Sequence, residues 1–128
     1  MLLLDTSALI ELEGELAASR IGPFRAFLGR HRAEDVACST VTVGELAAGS
    51  KEPAIRMLLR RLRKLPLSEA IAYRAAALDR TQQRSGQRLG ENDTWIAATA
   101  VHYSATLVHA DGDFDRVVGL KRVRPDRD

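Results

Sequence analysis

Short apolar runs alternate along the chain with longer stretches whose apolar positions recur at helical spacing. Leu2-Leu3-Leu4 reads as a buried strand closed by Asp5-Thr6-Ser7, and a helix over Ala8 to Leu12 follows with Thr6 or Ser7 as N-cap. Pro23 opens a second helix through Leu28, which ends at Gly29 or in the polar run to Asp35. Val36-Ala37-Cys38-Ser39 is a second strand, and Val41 to Ala48 a helix stopped by Gly49. Pro53 begins a helix over Ala54 to Lys64 that Leu65-Pro66 ends. Ser68 caps a longer helix, with Ile71, Ala72, Ala75 and Leu78 on one face and Gly86 as its stop. Asn92 caps a helix through Val101, Thr106-Leu107-Val108 is a third strand, and Lys121 to Arg124 is a candidate fourth. This order predicts one α/β domain over residues 1–128, a short parallel sheet with helices on both faces.

Composition narrows the class. With 128 residues, 45% hydrophobic and 28% charged, the chain can build a core and is neither disordered nor low in complexity. Aromatics are only 5%, so Leu, Val, Ile and Ala must fill that core. The single Cys38 fits a reducing cytoplasm and rules out a disulfide scaffold. His31, His102 and His109 are scattered without zinc-ligand spacing. The start has three leucines before a charge, which is no signal peptide, and the stretch from Thr94 to Ala110 reads as helix plus strand rather than a membrane span. A net charge of +2 is too mild to identify a nucleic-acid binder by itself.

The acids fall at informative places. Asp5 ends the first strand and Asp111 follows the third, at the sheet edge where parallel folds bind ligands. Glu45 lies in the helix after the second strand, and Asp93 in the first turn of an almost wholly apolar helix. Each has a plainer reading: Asp5 as a cap, Asp93 as a favourable charge at a helix start, Glu45 as a solvated side chain, Asp111-Gly112-Asp113 as a turn. Together they describe a carboxylate cluster, which repels itself unless a cation sits within it. Oxygen-only ligands suit Mg²⁺ or Mn²⁺, and such a site suits phosphate chemistry.

Leu3-Leu4-Asp5-Thr6-Ser7, Thr42-Val43-Gly44-Glu45-Leu46, Asn92-Asp93-Thr94-Trp95-Ile96-Ala97-Ala98 and Leu107 to Phe114 resemble, in order and over essentially the whole chain, a PIN domain of the VapC type. The resemblance implies a Mg²⁺- or Mn²⁺-dependent endoribonuclease, the toxin of a toxin–antitoxin pair, usually homodimeric and held inactive by a VapB-type antitoxin. Asp5, Glu45 and Asp93 match the family's three firmest acids, and Asp111 the more variable fourth, with Asp113 able to share or take that role. Ser7 matches a small polar residue that helps hold metal or water. His109 departs from the family's usual Thr or Ser. The implied mechanism has Asp5, Asp93 and Asp111 holding the metal. Glu45 orients or deprotonates the attacking water, or binds a second ion, and in-line hydrolysis leaves a 5′-phosphate.

Between Lys51 and Lys64 six basic residues face one acid, Glu52, and Arg56, Arg60, Arg63 and Lys64 would share a helix face, either solvated or set against an RNA backbone. Leu58, Leu59 and Leu62 on the other side pack inward or against the antitoxin. Arg80, Arg84 and Arg88 form a weaker second stripe; Glu11, Glu13 and Glu15 read as a solvated face, and Trp95 and Ile96 as packing. A receiver domain, the nearest rival by physics, needs an Asp after a middle strand, where this chain has helix and Glu45. The alternatives left open are a PIN nuclease acting in RNA processing or on DNA, and a non-catalytic antitoxin-binding module.

Overall fold

The computed structural model describes residues 1–49 and 52–128. Its elements are β1 (Leu2–Leu4), α1 (Thr6–Ala17), α2 (Pro23–Arg30), β2 (Val36–Ser39), α3 (Thr40–Ala47), α4 (Glu52–Leu59), β3 (Arg63–Leu65), α5 (Glu69–Arg84), α6 (Glu91–His102), β4 (Thr106–Val108), a 3₁₀ turn (Gly112–Arg116) and β5 (Arg122–Val123). All five strands pair in parallel, in the order β3-β2-β1-β4-β5. The chain runs outward from β1 to β3 on one side, then returns to lay β4 on β1's other side. The crevice between the carboxyl ends of β1 and β4 is therefore the topological switch point, the usual ligand site of such sheets.

Alternation along these short strands divides the core. Leu2, Leu4, Cys38 and Val108 face α1 to α4, while Leu3, Ala37, Leu65 and Leu107 face the α6 side with Ile96, Ala97, Ala100 and Phe114. Both faces are covered, as a parallel sheet requires. The small side chains of α6 let α5 lie close, with Ile71 and Ala75 against Ala98 and the half-buried Trp95. Trp95 and Ile96 thus do pack. Among the described residues no helix is long and apolar enough to cross a membrane.

Several expectations are corrected. Asp5, not Thr6 or Ser7, caps α1, because its Oδ1 accepts the Ala8 N–H at 2.8 Å. Gly90 takes the N-cap position of α6, which leaves the Asn92 side chain for another partner. The helix predicted through Lys64 ends at Leu59, and Arg63–Leu65 joins the sheet edge beside Ala37–Ser39. Pairing with β2 overrides local helical spacing there, and a charged edge strand discourages further pairing. The basic face is no longer a single helix face and loses Arg63. Arg56, Arg60 and Lys64 line one pocket, whereas Arg63 points to the other side of β3. Lys51 lies outside the described residues. Arg88 falls beyond α5 and pairs with Asp79 at 3.0 Å, so no second stripe forms with Arg80 and Arg84.

The acidic run on α1 is also not a solvated face. Glu11 is exposed, but Glu13 is 8% and Glu15 1% exposed. Glu15 accepts the backbone N–H groups of Gly22 (2.8 Å), Phe24 (3.0 Å) and Arg25 (3.0 Å), serving from a distance as the missing side-chain cap of α2. A Cβ at position 22 would lie 2.5 Å from the Glu15 carboxyl carbon, so only glycine admits this approach. Replacing Glu15 with Ala orphans three donors at a helix N-terminus and should cost about 2 kcal/mol in urea unfolding. A change below about 0.5 kcal/mol, the range of ordinary surface substitutions, would show that α2 needs no such cap.

Candidate metal centre

Asp5 sits at the end of β1, 2% exposed, its backbone N–H bonded to the Val108 carbonyl at 3.1 Å. The Ser7 hydroxyl lies 2.7 and 2.9 Å from the two Asp5 carboxylate oxygens and accepts the Ala110 N–H at 2.9 Å. One hydroxyl thus ties the carboxylate after β1 to the backbone after β4. Asp111 caps the 3₁₀ turn by accepting the Asp113 N–H at 2.9 Å, and Asp93 stands in the first turn of α6. Asp93, Asp111 and Asp113 each bring an oxygen within 4.8 Å of the others. Asp5 and Glu45 flank this trio.

Burial and neighbouring charge both act on these acids. Asp5 is pushed up to about 6, mainly by burial and further by the charges of Asp93 and Asp111, against the bonds from Ala8 and Ser7. Asp93 also rises to about 6, by burial and then by Asp111, Glu45 and Asp113. Every donor toward the centre is a carboxylate oxygen, which fits a hard divalent cation such as Mg²⁺ or Mn²⁺ and not zinc. The two candidates for the fourth acid differ in company. Asp113 faces the Arg116 guanidinium at 3.4 Å, whereas no ion pair among the described residues involves Asp111.

Glu45 reaches the site from α3 and is held at both oxygens. Thr6 donates to Oε1 at 2.5 Å and Asn92 to Oε2 at 3.3 Å. Sequence reasoning read Thr6 and Asn92 only as caps; their signal was position, each directly beside a site acid. His109 is fully buried, edge-on to Phe114 with ring centroids 5.3 Å apart. Its Nδ1 lies 2.7 Å from the Asp111 carbonyl, an acceptor only, so Nδ1 carries the proton. Burial lowers its pKa, keeping the ring neutral. At the position where the resemblance leads to Thr or Ser, this chain has an imidazole holding the Asp111 backbone.

Because Asp5 and Asp93 titrate near 6 when folded, above the ordinary 3.8, the folded chain keeps protons that the unfolded chain releases between about pH 4 and 6. Without metal, their contribution to stability is present at the low end of that window and lost as pH rises through about 6. Asp93→Asn should therefore raise the metal-free melting temperature at pH 7.5 but not at pH 4, and should abolish the upward shift that Mn²⁺ gives the unaltered chain. Equal melting of variant and parent at pH 7.5 would show that the acids are too solvated to repel.

A family model described as the PIN domain matches residues 2–120. Ribonuclease VapC11 of Mycobacterium tuberculosis is 32% identical over 133 aligned positions, covering 97% of this chain and 96% of the relative. Ribonuclease VapC4 of the same organism is 34% identical over 88% of this chain and 87% of its own length. A toxin–antitoxin complex from Klebsiella pneumoniae contains a chain with TM-score 0.73 and 28% identity, with 98% of each chain covered. The acids converge where the topology reverses, and the likeness covers 87% or more of each of these relatives. This chain belongs to the PIN-domain family, among the VapC ribonucleases.

Proposed function

We propose that this chain is a Mg²⁺- or Mn²⁺-dependent endoribonuclease of the cytoplasm and the toxin of a VapB–VapC pair. The observation that carries the reading is the gathering of Asp5, Glu45, Asp93, Asp111 and Asp113 at one crevice with no nitrogen or sulfur donor among them. Asp5, Asp93 and Asp111 would hold the ion, with Asp113, already beside Arg116, in support. Bound there, the ion supplies Lewis-acid stabilisation of the phosphate charge and eases ionisation of water. Ser7 keeps Asp5 aimed into the crevice. Glu45, fixed by Thr6 and Asn92, takes the proton of the attacking water, and in-line hydrolysis leaves a 5′-phosphate on the RNA. Neutral His109 holds the Asp111 backbone in place and moves no proton.

Inhibition by a partner also has a surface to work through. An apolar groove of about 560 Å³ runs between α1 and α4, lined by Leu16, Ala17, Ala54, Met57 and Leu58. Past Glu13 it adjoins a second hollow lined by Thr6, Ile10, Leu46, Ile55 and Glu45. Ile10 and Met57 are 51% and 68% exposed, and with the adjoining apolar linings they form a continuous patch, as a docking face requires. An antitoxin segment laid in this groove ends at Glu45, where it blocks the proton acceptor.

Two experiments test the reading. Asp5→Asn and Asp93→Asn, purified free of host nucleases, should each lose more Mn²⁺-dependent RNA cleavage than the roughly 10–100-fold that substitutions of a ligand's supporting partners cost. Either variant cleaving at the parent's rate would sink the assignment. The double substitution Ile10→Glu, Met57→Glu should leave cleavage intact while releasing it from inhibition by a co-expressed antitoxin. Undiminished inhibition would move the antitoxin to another face.

A further inference from the structure

One buried polar side chain outside the carboxylate cluster touches both segments that carry it. Gln82 lies near the end of α5, an element contributing no acid to the centre, and is 4% exposed. Its Nε2 donates to the Gln87 carbonyl at 2.8 Å and to the Arg116 carbonyl at 3.1 Å. Both partners only accept, so the amide nitrogen must face them and both its hydrogens are engaged. Gln87 belongs to the loop leading into α6 and Asp93. Arg116 ends the 3₁₀ turn that contains Asp113 and is capped by Asp111. A second tie runs alongside, since the Arg116 side chain donates to the Arg88 carbonyl at 3.3 Å.

We propose that Gln82 is a positioning residue for the metal centre, its amide clamping the loop before α6 to the 3₁₀ turn and so setting the distance from Asp93 to Asp111 and Asp113. The inference rests on the reading of those acids as a divalent-cation site. Like charges drive the two segments apart whenever the centre lacks a cation, and nothing in the chain's order links them: Asp93 and Asp111 belong to different elements with β4 between them. Apolar packing of Phe114 with Ile96 and Ala97 holds the turn near α6 but is not directional, and the two hydrogen bonds from a third element fix the spacing. α5 is suited, because Ile71 and Ala75 anchor it against Ala98 on α6. A neutral amide does this without adding a positive charge that would compete with the ion. Removing the donors leaves two inward-facing carbonyls without that partner, and the segments can then part.

The test compares the unaltered chain with Gln82→Glu, whose carboxylate opposes both carbonyls, and Gln82→Met, similar in length and unable to donate. Thermal melting is followed without metal and through a Mn²⁺ titration, and RNA cleavage is measured against Mn²⁺ concentration. The expected result is a half-saturating Mn²⁺ concentration raised about tenfold in both assays, with cleavage at saturating Mn²⁺ close to the parent's. A merely structural role would lower melting equally with and without metal and leave half-saturation unchanged, which overturns the proposal. Should Gln82→Glu fail to fold, Gln82→Met decides alone. A parent chain that shows no Mn²⁺ shift would instead fail the cation-site reading itself and the inference with it; a parental shift retained in full by the variants fails only Gln82's role.

Discussion

Burial of several carboxylates beside one another at the β1–β4 crevice, with the repulsion it adds, is the constraint around which the rest is arranged. Such a cluster can be relieved by protons or by a cation, and Asp5 and Asp93 hold protons to about pH 6 in the chain alone. Protonation and cation binding therefore compete for the same oxygens. The supporting bonds follow from this. Ser7 fastens Asp5, Thr6 and Asn92 fasten Glu45, and His109 holds the backbone of Asp111. Each is a neutral donor, so the pocket keeps its orientation without surrendering its negative field.

Much of this was legible from residue order. Three of the strands announced themselves as apolar runs bounded by polar turns, Asp5 and Asp111 stood out at the ends of such runs, and Asp93 in the first turn of an apolar helix. What stayed hidden depended on neighbours distant in the chain. Arg63–Leu65 has no strand-like pattern and becomes β3 only because β2 offers it backbone partners. Glu11 and Glu15 share a helical face by spacing, yet only Glu15 is buried, because the start of α2 folds over it. Periodicity cannot report a contact that another element supplies.

The same limit applied within the site. Capping was assigned to Thr6, Ser7 and Asn92, residue types that usually cap helices, and in each case another residue took that position. Asp5 and Gly90 freed those polar side chains for the chemistry beside them. Local rules were therefore followed in kind and displaced by one or two residues, and the displacement created the supporting bonds of Glu45 and Asp5.

The parallel pairing of β1 with β4 also has a consequence in time. Leu3 pairs with Ala37 early in the chain but with Leu107 only near its end, and the acids at positions 5 and 111 meet across that second pairing. A chain growing from its amino terminus holds Asp5 beside β2 long before Asp93, Asp111 and the Ala110 amide exist to complete its surroundings. Closing so long a loop is among the slowest steps in folding. A chain lacking β4 therefore holds Asp5, Glu45 and Asp93 but neither Asp111 nor the Ala110 amide that Ser7 accepts, and the crevice has only one of its two walls.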